Sequence, residues 1–528
     1  MNLVDNHNFL FFKNFFSNIV VVLGIISIIG VIARIIFVEF EAPLTLDSTG
    51  YFWYAIDTSV SDKFPTIDCG WRCTFPNTGW STFLSILFTI FHSENYIDYM
   101  NIQRFSSVIF SVITVFPIFF LCNNFFPKRY ALIGTIFFVF NPRIIENSIL
   151  GLTDSMYIFF LTMMILTFFK YGKKHPFLSF GLIGLLSIVR FEGLILFVPI
   201  SILYFYKFRV NKITLKKYFF AVLIFLMIVI PWGMMKNEIT GSDGLLSNIL
   251  AGPTYYNNVV KEQNGSEEVM RSFISTGFNY SFRFLILSTL PLLTFLVPLG
   301  IYIMISKKEY SNFLILLLIS ITLCIPAFYA YSRSFQETRY FLPLVPIFCL
   351  ISCYYIRNIT DKIRYKKLFL VSISIFIIFS SIIFIQFKNS DDVNQVEAYQ
   401  ITQKISEMTN VITYYTQSGH IDNMRILKSE EFPILRKNLP PPLTMLYPDN
   451  YNSLEQYILE NREVGLEYII VDKGDWRSKF LADLFLNEEK YPYLTKVFDS
   501  LENGYKNYHV KIFKINFKDL VNFQDNLD

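Results

Sequence analysis

RYKKLFLVSISIFIIFSSIIFIQFK, running from Arg364 to Lys388, is the stretch that sets the fold class. Between basic flanks, Leu368–Phe387 carries no charge at all. As a helix it would be about 30 Å long at ~1.5 Å per residue, the thickness of bilayer hydrocarbon. Apolar runs of the same kind occur at Ile19–Ile32, Phe219–Ile230 and Leu285–Ile305. The 528-residue chain as a whole is 53% hydrophobic, 18% aromatic and only 17% charged, with a mean hydropathy of +0.41. A soluble protein would carry roughly a quarter charged residues. The formal charge of +4 is too small to point to nucleic acid. Six cysteines make no disulfide framework, although Cys69 and Cys73 share one loop and are close enough to pair. The expected class is a membrane α-helical protein. No cleavable signal peptide is evident, so Ile19–Val38 reads as a retained first span.

Working outward, about eleven spans are expected: Phe16–Val38, Arg104–Asn123, Tyr130–Asn141, Ser155–Phe169, Pro176–Val189, Gly193–Phe205, Tyr218–Met235, Phe284–Ile305, Asn312–Tyr331, Tyr340–Ile356 and Leu368–Phe387. Lys and Arg gather in alternate connections, at 128–129, 170–174, 207–217, 307–308 and 357–367. The positive-inside rule makes these cytoplasmic, with the N-terminus inside and the C-terminal region outside, in the cell membrane. Because both flanks of Pro176–Tyr206 are basic, that stretch reads as a hairpin with Arg190 and Glu192 at a recessed tip. Trp80–Phe91 is too short to cross and reads as an interfacial helix on the outer face. From about Lys388 to Asp528 the composition turns polar, with a Pro440-Pro441-Pro442 break. Ser453-Leu-Glu-Gln456 opens a helix to about Glu463, while Tyr468–Asp472 and His509–Ile515 read as strands. The expected domains are therefore residues 1–387, membrane-embedded with a first external loop at about 39–103, and residues 388–528, a soluble α/β domain.

The informative charges lie away from the basic anchors. The first external loop holds Glu39, Glu41, Asp47, Asp57, Asp62, Asp68 and Arg72; later turns hold Arg143, Glu146 and Asp154, then Arg190 and Glu192, then Arg333, Glu337 and Arg339. Charges beside lipid are costly, so a functional role is the default reading. Carboxylates and arginines at the outer boundary suit one chemistry. A carboxylate removes the proton from an acceptor hydroxyl attacking the anomeric carbon of a sugar on a polyprenyl phosphate. Arginines hold the departing phosphate.

Four segments carry a family resemblance. Leu46-Asp47-Ser-Thr-Gly-Tyr-Phe-Trp-Tyr-Ala55 has an acidic-then-aromatic pattern. Asn147-Ser-Ile-Leu-Gly-Leu-Thr-Asp154-Ser155 enters the fourth span, and Val189-Arg190-Phe-Glu192-Gly193 forms a turn. Arg339-Tyr-Phe-Leu-Pro343-Leu-Val-Pro346 opens a late span. In this order and on one face they resemble the GT-C superfamily of glycosyltransferases, which includes protein O-mannosyltransferases and lipid A aminoarabinose transferases. The resemblance covers about Phe16–Phe387. It implies a GT-C membrane domain and transfer of a sugar, a hexose such as mannose, from a polyprenyl-phosphate donor to a protein, lipid or glycan acceptor. It implies Asp47 as catalytic base, with Arg143, Glu146, Asp154, Arg190, Glu192, Arg333, Glu337 and Arg339 around donor phosphate and sugar. Two departures stand out: Asp47 is followed by Ser48 where the mannosyltransferase loop has an Asp-Glu pair, and the Trp-Trp-Asp motif of oligosaccharyltransferases is missing. The second argues against oligosaccharide transfer and against that group's need for a divalent metal, although Glu146 and Asp154 leave such a metal possible.

Plainer readings compete. Asp154 is a natural helix N-cap, and Arg190 with Glu192 a structural pair closing a hairpin. Cys349 and Cys353, one turn apart, read as packing residues. Asn264-Gly-Ser266 and Asn279-Tyr-Ser281 are sequons of a kind that arises often by chance. The rival classes are an oligosaccharyltransferase-like enzyme, a transporter or flippase, and a non-catalytic scaffold. A transporter would place paired repeats and charges near the bilayer midplane, and the sequence has neither.

Overall fold

A computed structural model describes residues 19–38, 40–44, 47–61, 78–91, 93, 95–241, 243–250, 267–386, 396–404, 414–416, 451–463, 466–472 and 478–525. Glu39, Asp62, Asp68, Arg72, Cys69, Cys73, the Asn264 sequon and Pro440–Pro442 lie outside the described residues. The chain falls into two compact units. One comprises Met1–Val38, Gly50–Ile90 and Ile102–Gln386; the other comprises Glu39–Thr49, Phe91–Asn101 and Phe387–Asp528.

The first unit is a bundle of helices and an integral membrane domain. Among the described residues, six helices are long and apolar enough to cross a bilayer, or seven if one bent pair is a single span: Tyr96–Asn123, Phe191–Phe208, Lys212–Glu238, Tyr310–Ser332, Thr338–Lys362 and Lys366–Gln386. The described residues of the eleven expected crossings fall mostly on helical elements, but several helices of the bundle are short. Ile19–Ile35, Gly79–Ile90 and Pro176–Val189 have fewer than 18 residues, and Lys128–Val139 has 12, about 18 Å long. The expected span Phe284–Ile305 is broken. Helices Arg271–Thr289 and Leu293–Ser306 meet at 97°, around Pro291, which has no N–H to continue a helix. The Thr289 hydroxyl sits at the break, 3.0 Å from the carbonyls of Leu285 and Ile286 and 2.7 Å from the Thr294 hydroxyl. Such side-chain bonds are how a broken helix is tolerated in lipid.

Thr338–Lys362 is the interior element: every residue from Phe341 to Tyr354 is buried. It packs on Leu293–Ser306 and Lys128–Val139. A Cβ on Gly300 would collide with the backbone carbonyl of Ile351, so only glycine permits that helix crossing, as in other small-residue membrane interfaces. Cys122, Cys349 and Cys353 are free and buried. The Cys353 thiol donates to the Cys349 carbonyl at 3.2 Å. Arg34, fully buried near the end of Ile19–Ile35, donates to Ser111 at 2.9 and 3.2 Å and to the Gly30 carbonyl at 2.9 Å. Those bonds tie the first helix to Tyr96–Ile113.

In the second unit, four strands, β1 (Tyr414–Thr416), β2 (Tyr468–Asp472), β3 (Leu494–Asp499) and β4 (Val510–Ile515), form a sheet in the order β1-β2-β4-β3. β1 and β2 run parallel; β4 is antiparallel to both β2 and β3. Ile469, Val471, Phe513 and Ile515 meet Leu454, Tyr457, Ile458, Leu481 and Leu484 of the adjacent helices in one core. Ser453 accepts the Gln456 amide at 3.2 Å, so the helix opens where expected, but it ends at Glu460. Glu397, on the 396–404 helix, accepts the backbone amides of Lys506, Asn507 and Tyr508 at 3.2, 2.7 and 2.8 Å. Burial raises its proton affinity, but these amides and the Asn507 side chain outweigh it and hold the carboxyl below its usual range.

Two outcomes follow from this packing. Gly300→Val should destabilise the first unit by roughly 1–3 kcal/mol, as overpacking does, read as a lower unfolding temperature in detergent. Glu397 titrates lower when folded than when unfolded, so its stabilisation is complete above about pH 4.3 and fades as the pH falls below that value. The difference in melting temperature between the parent chain and Glu397→Gln should therefore shrink in melts taken from pH 6 down to pH 3.

Candidate functional site

Within the first unit, the turn before the Asp154–Tyr171 helix is fixed from several sides. Gly151 adopts φ +69°, which glycine alone takes without strain. Its carbonyl accepts the Trp80 indole at 3.0 Å and the Gln103 amide at 2.8 Å. Trp80 and Leu84 are fully buried, so the Thr78–Ile90 helix, expected to lie at the interface, packs one face against this turn. Thr153 occupies the N-cap position, but its hydroxyl makes no capping bond and instead donates to the Val189 carbonyl at 3.4 Å. Asp154 is thus the first helical residue and not the cap. Its carboxylate is 1% exposed and lies at the positive end of the helix.

That carboxylate meets Arg190. The Pro176–Val189 helix stops at Arg190, whose backbone is extended, and a 3-10 turn Phe191–Leu196 follows. The reversal is tight: a Cβ on Gly193 would lie 2.6 Å from the Leu186 backbone. Arg190 donates Nη1 to Asp154 Oδ1 and Nη2 to Glu192 Oε1, the latter at 2.8 Å. The guanidinium lies 5.6 Å from the centre of the buried Tyr157 ring, and Tyr51 and Tyr340 interact with it electrostatically. Asp154 Oδ2 is buried and has no hydrogen-bond partner among the described residues. Two carboxylates thus share one arginine, leaving a net charge of −1 in a nearly enclosed cluster.

The remaining candidates form two further ion pairs. Arg339 pairs with Glu337, with side chains 18% and 45% exposed. The Glu337 carbonyl accepts the buried Tyr331 hydroxyl at 2.7 Å. Arg333, exposed on the preceding turn, lies over the rings of Tyr329 and Phe335. Arg143 pairs with Glu146 at 2.8 Å, donates Nε to the Leu287 carbonyl at 3.2 Å and lies over Phe384. Its short helix, Pro142–Ser148, is capped by Asn141. Both that helix and Asp154–Tyr171 pack on the 3-10 segment Thr338–Leu344. The structure therefore gathers Asp154, Arg190 and Glu192 with Tyr51, Tyr157 and Tyr340, and leaves Arg333 on the surface. Asp47 is half-buried and opens the helix Asp47–Ser61. Among the described residues no three His, Cys, Asp or Glu side chains gather as a metal-ion set.

The tyrosines are what sequence reading misses, because 32 tyrosines in the chain give no reason to single out three.

Residues 81–235 match the family described as dolichyl-phosphate-mannose-protein mannosyltransferase. No curated protein sequence matches the chain. Among solved structures, the Archaeoglobus fulgidus oligosaccharyltransferase in complex with zinc and sulfate is similar at a TM-score of 0.55 and 16% identity, covering 85% of this chain and 68% of that one. Oligosaccharyltransferase AglB of the same organism, in complex with an inhibitory peptide and a dolichol-phosphate, gives 0.53 and 14%, covering 94% and 74%. Apo ArnT of Cupriavidus metallidurans gives 0.50 and 10%, covering 96% and 99%.

Removing Arg190 would leave two enclosed carboxylates facing one another. Arg190→Met should cost about 3–5 kcal/mol, the usual penalty for breaking a buried pair, and Arg190→Lys should recover part of it. Unfolding temperatures of the purified variants measure both.

Proposed function

We propose, for a chain that has the fold of the GT-C glycosyltransferases, that it transfers a hexose such as mannose from a polyprenyl-phosphate carrier to an acceptor hydroxyl at the outer face of the membrane. The observation that carries this reading is the cluster in which Asp154 and Glu192 share Arg190 beside the Tyr157 ring. The match to a mannosyltransferase family over residues 81–235 supports the choice of sugar. The dolichol-phosphate bound by AglB supports a polyprenyl phosphate as carrier.

In the proposed reaction, Asp47 takes the proton from the acceptor hydroxyl as that oxygen bonds to the anomeric carbon. The bond from the anomeric carbon to the phosphate oxygen breaks, and the polyprenyl phosphate leaves with the electron pair. The transition state carries positive charge on the sugar, as in glycoside hydrolysis. The net −1 cluster of Asp154, Glu192 and Arg190 is suited to the sugar side. Arg339 is suited to the phosphate, because its partner Glu337 is the most exposed carboxylate of the candidate-site ion pairs and the one most easily exchanged for another anion. Arg333 adds a second exposed cation, and Arg143 with Glu146 holds the helix before Asp154. The N-terminus would be cytoplasmic, and the α/β unit external, where it could contact a protein, lipid or glycan acceptor.

Asp47→Asn should lower transfer from radiolabelled polyprenyl-phosphate mannose by about 10²–10⁴-fold, the usual contribution of a general base, at unchanged expression. Asp47→Glu should retain part of the activity. Full activity in Asp47→Asn would overturn the assignment. A second reading, transfer of a whole oligosaccharide, is favoured by the similarity to the A. fulgidus oligosaccharyltransferases. It predicts label moved only from an oligosaccharide donor.

A further inference from the structure

The opposite charge pattern occurs elsewhere in the first unit. Lys170, Lys173, Lys174, Lys207, Arg209, Lys212, Lys216 and Lys217 lie in two connections, and between Asp154 and Glu238 the sole acidic residue is Glu192, at the far ends of the intervening helices. The two connections are adjacent. Lys217 Nζ donates to the Lys173 carbonyl at 3.0 Å, and a Cβ on Gly172 would lie 2.9 Å from the Phe208 ring. The second turn is stiff: Arg209 has φ +58°, and Asn211 and Thr214 form a reciprocal capping box. None of the eight cations pairs with a carboxylate among the described residues; Glu309 and Asp361 are instead engaged by Tyr354 and Tyr130.

Charge bias across a membrane accounts for cations at this end, but not for the close approach of these two connections with no paired carboxylate among the described residues. Lys207 marks the centre. Its ammonium lies 4.1 Å from the Phe169 ring centre and within 6 Å of Phe168 and Phe208, on a half-buried stem. The second connection and the helix that leaves it also carry strongly exposed apolar residues: Val210, Ile213 and Phe219 are 71%, 69% and 61% exposed. Cations beside bare apolar side chains match an anionic headgroup with acyl chains attached; an acidic soluble partner would leave the apolar residues uncovered.

We infer that the two turns hold the phosphate of an anionic glycerophospholipid, bound at Lys207, Lys217 and Lys173 with its acyl chains over Val210 and Ile213. This niche is independent of the proposed transferase chemistry.

The test uses the delipidated full chain, given equal phosphatidylglycerol and phosphatidylcholine of matched chains, with retained lipid counted by native mass spectrometry. Phosphatidylglycerol should be retained about tenfold over phosphatidylcholine. Lys207→Ala with Lys217→Ala should bring the ratio near one, while Lys207→Arg and a Lys307→Ala/Lys308→Ala control should keep the parent preference. Should the double variant fail a melting check, Lys173→Glu with Arg209→Glu, both exposed, takes its place with the same expected loss. Equal retention by the parent chain, an unchanged ratio in the variants, or an equal loss in the control would overturn the inference. So would displacement of phosphatidylglycerol by an equal amount of undecaprenyl phosphate.

Discussion

An arginine enclosed in an apolar helix bundle needs partners for its N–H groups where it stands, and Arg190 finds them in two carboxylates from different elements. Desolvating each of those ions costs several kcal/mol, so the arrangement persists only because the surrounding backbone fixes it. That requirement reaches outward through the fold. Gly193 lets the chain reverse close enough to bring Glu192 back onto Arg190. Gly151, held by Trp80 and Gln103, places Asp154 at the start of its helix. Thr153 gives up a capping role to bond the Val189 carbonyl next to Arg190. The Thr78–Ile90 helix, too short to cross a membrane, is thereby part of the frame of the cluster.

How much of this was legible in sequence depends on how local the cause is. Leu368–Phe387 announced a helix by its lack of charge, and Lys366–Gln386 is one. Strand Tyr468–Asp472 was legible from its β-branched and aromatic run. Arg190 with Glu192 was legible as a pair because only Phe191 separates them in the sequence. The broken helix at Pro291 was not, since Leu285–Ile305 carries no charge and the Thr289 and Thr294 hydroxyls that compensate the break read as ordinary polar residues of an apolar helix. The pairing of Asp154 with Arg190, 36 residues away, follows from two turns meeting in space. Nothing in either segment encodes it alone, and the tyrosines around Arg190 were invisible for the same reason.

Arg34 illustrates the limit from the other side. It lies inside the expected span Phe16–Val38 and nothing in the sequence singles it out, yet it is fully buried and satisfied by Ser111 and by the helix's own Gly30 carbonyl. The packing makes this lone charge an internal strut.

The two sets of charges in the first unit follow different rules. Around Arg190 every charge is bonded to another within the protein, because water is scarce there and an unmatched ion would be prohibitive. In the connections at 170–174 and 207–217 eight cations tolerate one another without a carboxylate, which is sustainable only where solvent or an outside anion screens them. Glu309 and Asp361 are engaged by Tyr354 and Tyr130 and leave those eight cations unpaired among the described residues. The Glu337–Arg339 pair, with side chains 45% and 18% exposed, stands apart from the Arg190 cluster as the least enclosed of the candidate ion pairs, so opening it costs the least desolvation.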